Sequence, residues 1–488
     1  MLVAISIFLG SFIGVNVLFA LFIVFYERKD VKSTWAWLII ALLVPYLGFL
    51  LYILIGFSGR KTRHFANKSQ KDEELYEEFV KSDKIAIDDL SLNNRKTNIL
   101  SIPSSERFND MVYLNSNSGR GELTLNNDVI VFHDGMDKFG SLIDDIRTAE
   151  SHIHVQYFIF RNDALGRQII DELAIKAAEG VEVKVFIDGI GNYGHSKKMF
   201  KPLVEAGGNF QIFFRPFMAR LNFRNHRKLV IIDGIIGYIG GFNVGVEYIG
   251  KSKKFGNWRD THLRIVGEAV KTIQLRFMMD WNFCAKASEN KVLLEEKYFP
   301  ELPPVGSVKM QIVSSGPDTE WDSIKYAYKK MITEAEKNVY ISSPYFIPDE
   351  SIFESLKVAA LAGIDVRILI PKNPDHPFVY WTALSYIGEL LKAGVKCYEY
   401  EGGFIHSKVV IIDDMISSVG TANMDVRSFK LNFETNAFIY SESVADELTY
   451  QFFEDIENSS ELTIENYEAR SKFTKAREAI SRLLSPIL

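Results

Sequence analysis

His226-Arg-Lys228-Leu-Val-Ile-Ile-Asp233 and, 180 residues later, His406-Ser-Lys408-Val-Val-Ile-Ile-Asp413 spell the same pattern, HxKxxxxD, twice. Each is followed by a glycine-asparagine tail, Gly240-Gly-Phe-Asn243 and Gly420-Thr-Ala-Asn423. With this chain's use of His, Lys and Asp, one chance occurrence is expected on the order of a few times in a hundred, so two with matching tails mark a duplicated unit. In extended chain, residues two apart share a face, which puts His226 beside Lys228 and turns Arg227 the other way. An imidazole next to a fixed ammonium suits attack on a phosphate: the nitrogen is the nucleophile and the cation offsets oxyanion charge. One histidine cannot attack phosphorus and protonate the departing oxygen at the same moment. The second copy supplies that acid, and afterwards the base that activates the acceptor.

The surrounding text repeats as well. Residues 141–162 read as a helix and then an apolar strand, and residues 323–348 are the counterpart, both ending on a Tyr-Phe-Ile triplet, at Tyr157 and at Tyr345. Another helix and strand follow at 172–189 and at 355–372, and each half then reaches its HxKxxxxD strand. Helices alternating with short apolar strands predict an α/β fold with a mostly parallel or mixed sheet in each half. Pro300, Pro303 and Pro304 mark the seam, giving a first repeat over 106–304 and a second over 305–488.

The apolar residues are concentrated at the N-terminus. Residues 1–26 and 35–57 carry no charge. Each exceeds the roughly 20 residues that cross a bilayer core, so a two-helix transmembrane hairpin is expected over 1–57, with Pro45 kinking its second helix. The short connector places both hairpin ends on one side of the membrane. Residues 58–105, charged and then rich in Asn and Ser, read as a tether between membrane and enzyme.

The two motifs, with FRNHRKLVIIDG (223–234), IGGFNVGVEYIG (239–250), NWRDTH (257–262), SSPYFIPDE (342–350) and GTANMDVRSFKLNFE (420–434), resemble the phospholipase D superfamily and, within it, the bacterial cardiolipin synthases. That resemblance implies two tandem phospholipase D-like α/β/α repeats facing each other across a shared cleft. It implies a bacterial cell-membrane protein with its catalytic domain on the cytoplasmic side, acting on phosphatidylglycerol to give cardiolipin and glycerol through a phosphatidyl-histidine. The catalytic set is then His226, Lys228, Asp233, His406, Lys408 and Asp413, with His226 the nucleophile by resemblance, since the pattern itself is symmetric. Asp233 and Asp413, each at a strand-ending turn, are assigned to positioning. Asn243 and Asn423 would hold the phosphate, and Asp260 and Glu434 would orient the histidines. Two departures stand out: Gln156 occupies a place where similar synthases have glutamate, and Gly241 stands where the superfamily often has serine.

No metal or cofactor is expected, because Cys284 and Cys397 form no cluster and His152 and His154 read as strand packing. A net charge of −6 disfavours nucleic acid as a partner. A phospholipase D-type hydrolase shares every motif and differs only in acceptor; a non-catalytic membrane scaffold requires both intact motifs to be idle. The oligomeric state is open. Arg215, Arg220, Arg224, Arg227 and Lys228, interleaved with Phe213, Phe214, Phe217 and Phe223, suit anionic head groups at an acyl boundary, or equally ordinary packing. Phe473, Ala476, Ile480, Leu483 and Leu484 fall at helical spacing among basic residues and read as a helix docked on its own domain, more usual for that pattern than a membrane-surface helix.

Overall fold

The computed structural model describes residues 14, 17–27, 31–44, 47–52, 59–82, 107–194, 197–213, 222–285 and 291–484. The first half contributes strands β1 (Thr124–Phe132), β2 (His152–Tyr157), β3 (Glu182–Asp188), β4 (Asn209–Phe213), β5 (Leu229–Ile232), β6 (Ile236–Gly240) and β7 (His262–Gly267). The second contributes β8 (Val308–Ser315), β9 (Asn338–Ser342), β10 (Asp365–Pro371), β11 (Lys396–Tyr400), β12 (Val409–Ile412), β13 (Ile416–Gly420) and β14 (Asn432–Tyr440), with β15 (Ser459–Leu462) added at its edge. Spatially the halves follow one order, β1-β7-β6-β5-β2-β3-β4 and β8-β14-β13-β12-β9-β10-β11-β15, and antiparallel pairing of β1 with β8 joins them into a single sheet.

Connection chemistry explains the mixture of directions. β2-β3-β4 and β9-β10-β11 are parallel because helices such as Ala164–Ala178 and Glu350–Leu361 cross over between them. Asp163 and Asp349 cap those two helices at equivalent places, accepting from Gly166 N and Ile352 N at 3.0 Å each. β5 and β12 instead reverse at once into β6 and β13, through turns with positive φ at Asp233, Gly234, Asp413 and Asp414. Asp tolerates that region better than most residues. The runs Leu229–Ile232 and Val409–Ile412 are buried throughout, as continuous apolar strands between covering layers should be. One apolar core runs beneath both motifs, from Leu229, Ile231 and Trp281 to Ile411, Phe433 and Ala437, and each half has a further core of its own.

Several expectations change. The Tyr-Phe-Ile triplets are two residues out of step: Phe160 bridges to Val244 and Phe346 pairs with Met424, so Tyr157 corresponds to Ser343 and not to Tyr345. The expected tether is helical over Gly59–Ser82, while residues 83–106 lie outside the described residues. Its docked face is Phe65, Lys68, Asp72, Leu75 and Phe79, a helical stripe that two charged members hid from a search for apolar period. The helix Asn109–Gly119, assigned from sequence to the first repeat, packs on the second, where Phe108 and Met111 join the core and Arg107 pairs with Asp413.

At the N-terminus, helical segments Val31–Leu43 and Leu47–Leu51 and a π-helical turn Phe22–Glu27 gather Phe19, Ile23, Trp37, Ala41 and Tyr52 into a small cluster, leaving Leu18, Phe25, Trp35 and Leu42 exposed. Among the described residues no helix is long and apolar enough to cross a membrane. The expected spans 1–26 and 35–57 fall partly outside the described residues, Pro45 included.

Candidate active site

The backbone leading into each motif crosses to the other half. Arg224–Asn225 pairs in parallel with Asn432–Phe433, and Phe404–Ile405 with Trp258–Arg259. His226 N donates to Phe433 O at 3.0 Å, and His406 N to Arg259 O at 2.7 Å. The next residue along each receiving chain is a carboxylate. Glu434 therefore meets His226 Nδ1 with both oxygens at 3.0 Å, and Asp260 meets His406 Nδ1 at 2.7 Å. Both carboxylates are fully buried. A carboxylate on Nδ1 fixes the tautomer, leaving Nε2 as the free nitrogen, and stabilises the cation that forms when Nε2 is protonated or phosphorylated.

Lys228 and Lys408 lie on the same side as their histidines. Lys228 Nζ donates to His226 O at 2.5 Å; Lys408 Nζ donates to His406 O and sits 2.8 Å from His406 Nδ1. Arg227 points the opposite way, as alternation requires, and pairs with buried Asp280. Asp233 and Asp413 stand at the far ends of their strands. Asp233 accepts from the backbone N–H of Glu150, Ser151 and His152 at 2.8 Å each, and Asp413 from Glu336, Lys337 and Asn338. These two tie the motif strand to the start of β2 or β9 and do not meet the histidines. Asn243 Oδ1 accepts from Ile159 N at 3.0 Å, whereas Asn423 Oδ1 is buried without a partner among the described residues.

Burial dominates the electrostatics. It pushes His226 down to about 4, against the opposing pull of Glu434, and Lys228 and Lys408 both push the same way as burial. His406 is lowered by burial, with Lys408 and Lys228 adding to it and Asp260 opposing. That each motif's lysine acts on the other motif's histidine shows how closely the two face each other. Burial also brings Lys228 down to about 7 and Lys408 to about 8, although Glu434 and Asp260 hold them up. For Asp260 and Glu434 burial favours protonation, but the neighbouring histidines and lysines outweigh it and hold both below the usual carboxylate range. The arrangement can therefore present a neutral His226 imidazole, a His406 ring whose protonated form Asp260 supports, ionised carboxylates and lysine cations to one phosphodiester.

Several contributors were not singled out from the sequence. Phe158 packs edge-on against the His226 ring, 4.9 Å between centroids, and Trp258 lies 5.3 Å from His406. Thr421 O accepts from or faces His226 Nδ1 at 3.1 Å while its hydroxyl donates to Glu434 at 2.5 Å, so the tail threonine serves the carboxylate. At the equivalent place in the first tail, a Cβ on Gly241 would clash with the Asp260 carboxylate, which explains why no serine stands there. Asp188, raised to about 6 by burial, accepts from Asn225 N at 2.8 Å and so holds the strand before His226.

Beneath that strand lies a buried charge network. Lys68, on the Gly59–Ser82 helix, contacts Asp318 at 2.5 Å, Asp72 at 2.6 Å and Asp280 at 3.2 Å. Gln156 Nε2 donates to Asn225 Oδ1 at 2.8 Å and to Asp280 Oδ2 at 3.0 Å. An amide donor suits a position that faces a carboxylate already committed to Arg227 and Lys68. Asp188 and Lys68 had no repeat partner to betray them in the sequence. Of the basic-aromatic cluster, Phe214, Arg215, Phe217 and Arg220 lie outside the described residues. Phe213, Phe223 and Arg227 are buried in the interior, not displayed on a surface. His152 and His154 are buried strand residues packed on each other and on Tyr298.

The chain matches the family model described as cardiolipin synthase, PLD-like domain, over residues 142–254 and 328–456, and that of the phospholipase D-nuclease N-terminal region over 14–56. It is 48% identical over 487 residues to a cardiolipin synthase of Staphylococcus aureus (strain Mu50), covering 99% of this chain and 97% of that one. It is likewise 48% identical over 493 residues to the major cardiolipin synthase ClsA of Bacillus subtilis (strain 168), covering 99% of both. Among solved structures, the phosphatidylserine synthase of Haemophilus influenzae Rd KW20 superposes with a TM-score of 0.59 over 78% of this chain and 100% of that one; at 14% identity this speaks to the fold alone. With a duplicated motif, a crossed pair of histidine-carboxylate contacts and relatives of this identity along almost its whole length, the chain belongs to the cardiolipin synthase family, built on phospholipase D-like domains.

Proposed function

We propose that the protein is a phosphatidyltransferase that makes cardiolipin, moving the phosphatidyl group of one phosphatidylglycerol onto a second and releasing glycerol. Nε2 of His226 attacks phosphorus while Nε2–H of His406 protonates the departing glycerol oxygen, leaving a phosphatidyl-histidine. His406, now neutral, takes the proton of a hydroxyl on the second phosphatidylglycerol. That oxygen attacks phosphorus, the P–N bond breaks, and His226 is returned with its electron pair. Lys228, Lys408, Asn243 and Asn423 are assigned to the phosphate oxygens, Glu434 and Asp260 to the histidine Nδ1 atoms, and Asp233 and Asp413 to holding the motif strands. The observation that carries this reading is that each histidine has its Nδ1 on a buried carboxylate from the opposite half.

Membrane attachment is supported by the match of residues 14–56 to the N-terminal family model and by two charge-free segments. We take these as a two-helix transmembrane hairpin over 1–57, with the repeats over 106–304 and 305–488 on the cytoplasmic side. The test is turnover of labelled phosphatidylglycerol in liposomes by the reconstituted chain, with and without chelator. Cardiolipin and glycerol are expected despite chelator, and neither from His226→Ala or His406→Ala. Phosphatidic acid as sole product would make the protein a hydrolase instead.

A further inference from the structure

The last described helix, Lys472–Leu484, is turned inside out. It packs on the Pro377–Lys392 helix, but the residues it buries there are polar: Ser481 is fully buried, and Glu478, paired with Arg470 at 2.7 Å, nearly so. Arg482 reaches Glu389 at 3.1 Å, and the Arg477 guanidinium covers Trp381 at 4.7 Å. The apolar stripe faces outward, with Phe473 72%, Ile480 59% and Leu483 72% exposed, and Ala476 exposed between them. A helix that merely completes a soluble core does the reverse.

We infer that this outward stripe is a contact surface for a bilayer rich in anionic phospholipid. Charge argues for that occupant. Residues 470–484 contain Arg470, Lys472, Lys475, Arg477 and Arg482 against one acid, Glu478, which is already neutralised by Arg470. At about 100° per residue, Lys472 borders the stripe on one side and Arg477 on the other, the usual disposition for a helix lying in a headgroup layer. Position argues for it too. The supporting helix begins just after Asp375, whose carboxylate accepts from Tyr345 OH at 2.6 Å, and the Tyr345 ring lies 6.4 Å from that of His406. A stripe seated on lipid would thus orient the acid-base side of the cleft toward the plane from which its second lipid arrives. The inference builds on the transferase reading for its significance but makes its own physical claim.

The test uses the full chain in vesicles of phosphatidylcholine with or without phosphatidylglycerol. An environment-sensitive fluorophore is placed at Ile480→Cys, and the wild-type chain, with Cys397 buried and Cys284 half-buried, gives the background. The label is expected to shift to the blue and to be quenched by brominated acyl chains, more strongly when phosphatidylglycerol is present. An unshifted, unquenched label would overturn the inference. So would a shift that appears in detergent and grows with protein concentration, since a second copy would then be the cover. A functional arm uses Phe473→Ser/Ile480→Ser/Leu483→Ser. Its KM, expressed as surface fraction of lipid in the vesicle, should rise about tenfold, with kcat and turnover of a short-chain monomeric substrate unchanged. An equal loss with the monomeric substrate would make the helix a structural element only and overturn the inference. If the wild-type chain makes no cardiolipin at all, the transferase reading fails while the quenching measurement still decides this one.

Discussion

The two histidines stand in the same fold position and in different surroundings. His226 has a carboxylate gripping Nδ1 with both oxygens, itself fastened by Thr421 and by Asn432 at 3.1 Å. His406 has a shorter, single contact to Asp260, with Lys408 directly alongside and no hydroxyl from the tail. Behind His226 lie Asp188, Gln156 and the Lys68 network; behind His406, Arg259 joins Asp455 at 3.0 Å to Thr261, whose hydroxyl meets Ser407 at 2.9 Å. Duplication thus supplies the chemistry twice, and divergence has built a different support behind each copy. His226, pushed down to about 4, suits the attacking role proposed for it, since a firmly held Nδ1–H is what a phosphorylated imidazole needs. The more lightly held His406 is suited to carry a proton in and out.

The strongest way to break this comparison is to remove each ring. His226→Ala and His406→Ala should each cost about 10⁴-fold or more in kcat. Acid-quenched mixtures with labelled lipid should carry label on the wild-type protein and none on His226→Ala; label surviving there would reverse the two roles. Next come the carboxylates: Glu434→Gln and Asp260→Asn, nearly isosteric but uncharged, should each lower kcat by about 10³-fold. Burst measurements with a substrate whose leaving group needs no proton should separate them: Glu434→Gln should still slow formation of the covalent adduct, while Asp260→Asn should form it normally and be slow only in its transfer to the acceptor hydroxyl. Copying one tail into the other is a gentler probe. Gly241→Thr forces a Cβ into Asp260 and should cost about 10²-fold, whereas Thr421→Gly removes only one hydroxyl contact and should cost about tenfold.

The lysines sharpen the comparison through pH. As pH rises through about 7 and then about 8, Lys228 and Lys408 lose their protons, so kcat/KM should fall on the alkaline side. Lys228→Arg keeps the charge and should move that limb upward, at a loss of about tenfold from altered geometry. Stability runs the other way. Unfolded lysines keep their protons to about 10.4, so between about 7 and that value the unfolded chain binds more protons and stability rises with pH. The depressed His226 adds an acid-side slope of the same sign, its contribution being lost as pH falls from about 6.5 to about 4. Denaturant midpoints across pH check both. The smallest effect on chemistry belongs to Lys68→Met, which takes the shared cation from three buried carboxylates, leaving Asp280 with Arg227 and Asp72 with Arg276, and should cost about 3–5 kcal/mol in stability, read as a lowered melting temperature that recovers toward acid pH.

Much of this was legible because duplication writes a pattern twice. The motif strands, the glycine-asparagine tails and the α/β alternation could be matched against each other within one chain. Asp260 and Glu434 came only from family resemblance, since nothing local says that Arg259 and Phe433 will lie against the opposite half's motif. Lys68 could not be read at all: a lysine in a charged stretch looks solvated until two carboxylates from distant segments join one from its own helix around it. The Tyr-Phe-Ile triplets misled for the opposite reason, as identical letters fell at positions two residues apart in the two halves. The C-terminal helix does dock on its own domain, yet with its apolar side outward, because amphipathic spacing shows that a helix has two sides and not which one is covered.

The crossing of the two halves also bears on how the protein is made. His226 is translated 208 residues before the glutamate that holds its ring. A nascent chain paused before residue 406 has one motif histidine without its carboxylate or its partner, and one paused between 406 and 434 still lacks the glutamate on His226. On the proposed chemistry, the site is complete only once residue 434 has folded against the first half, so a chain stalled earlier should be inert toward phospholipid.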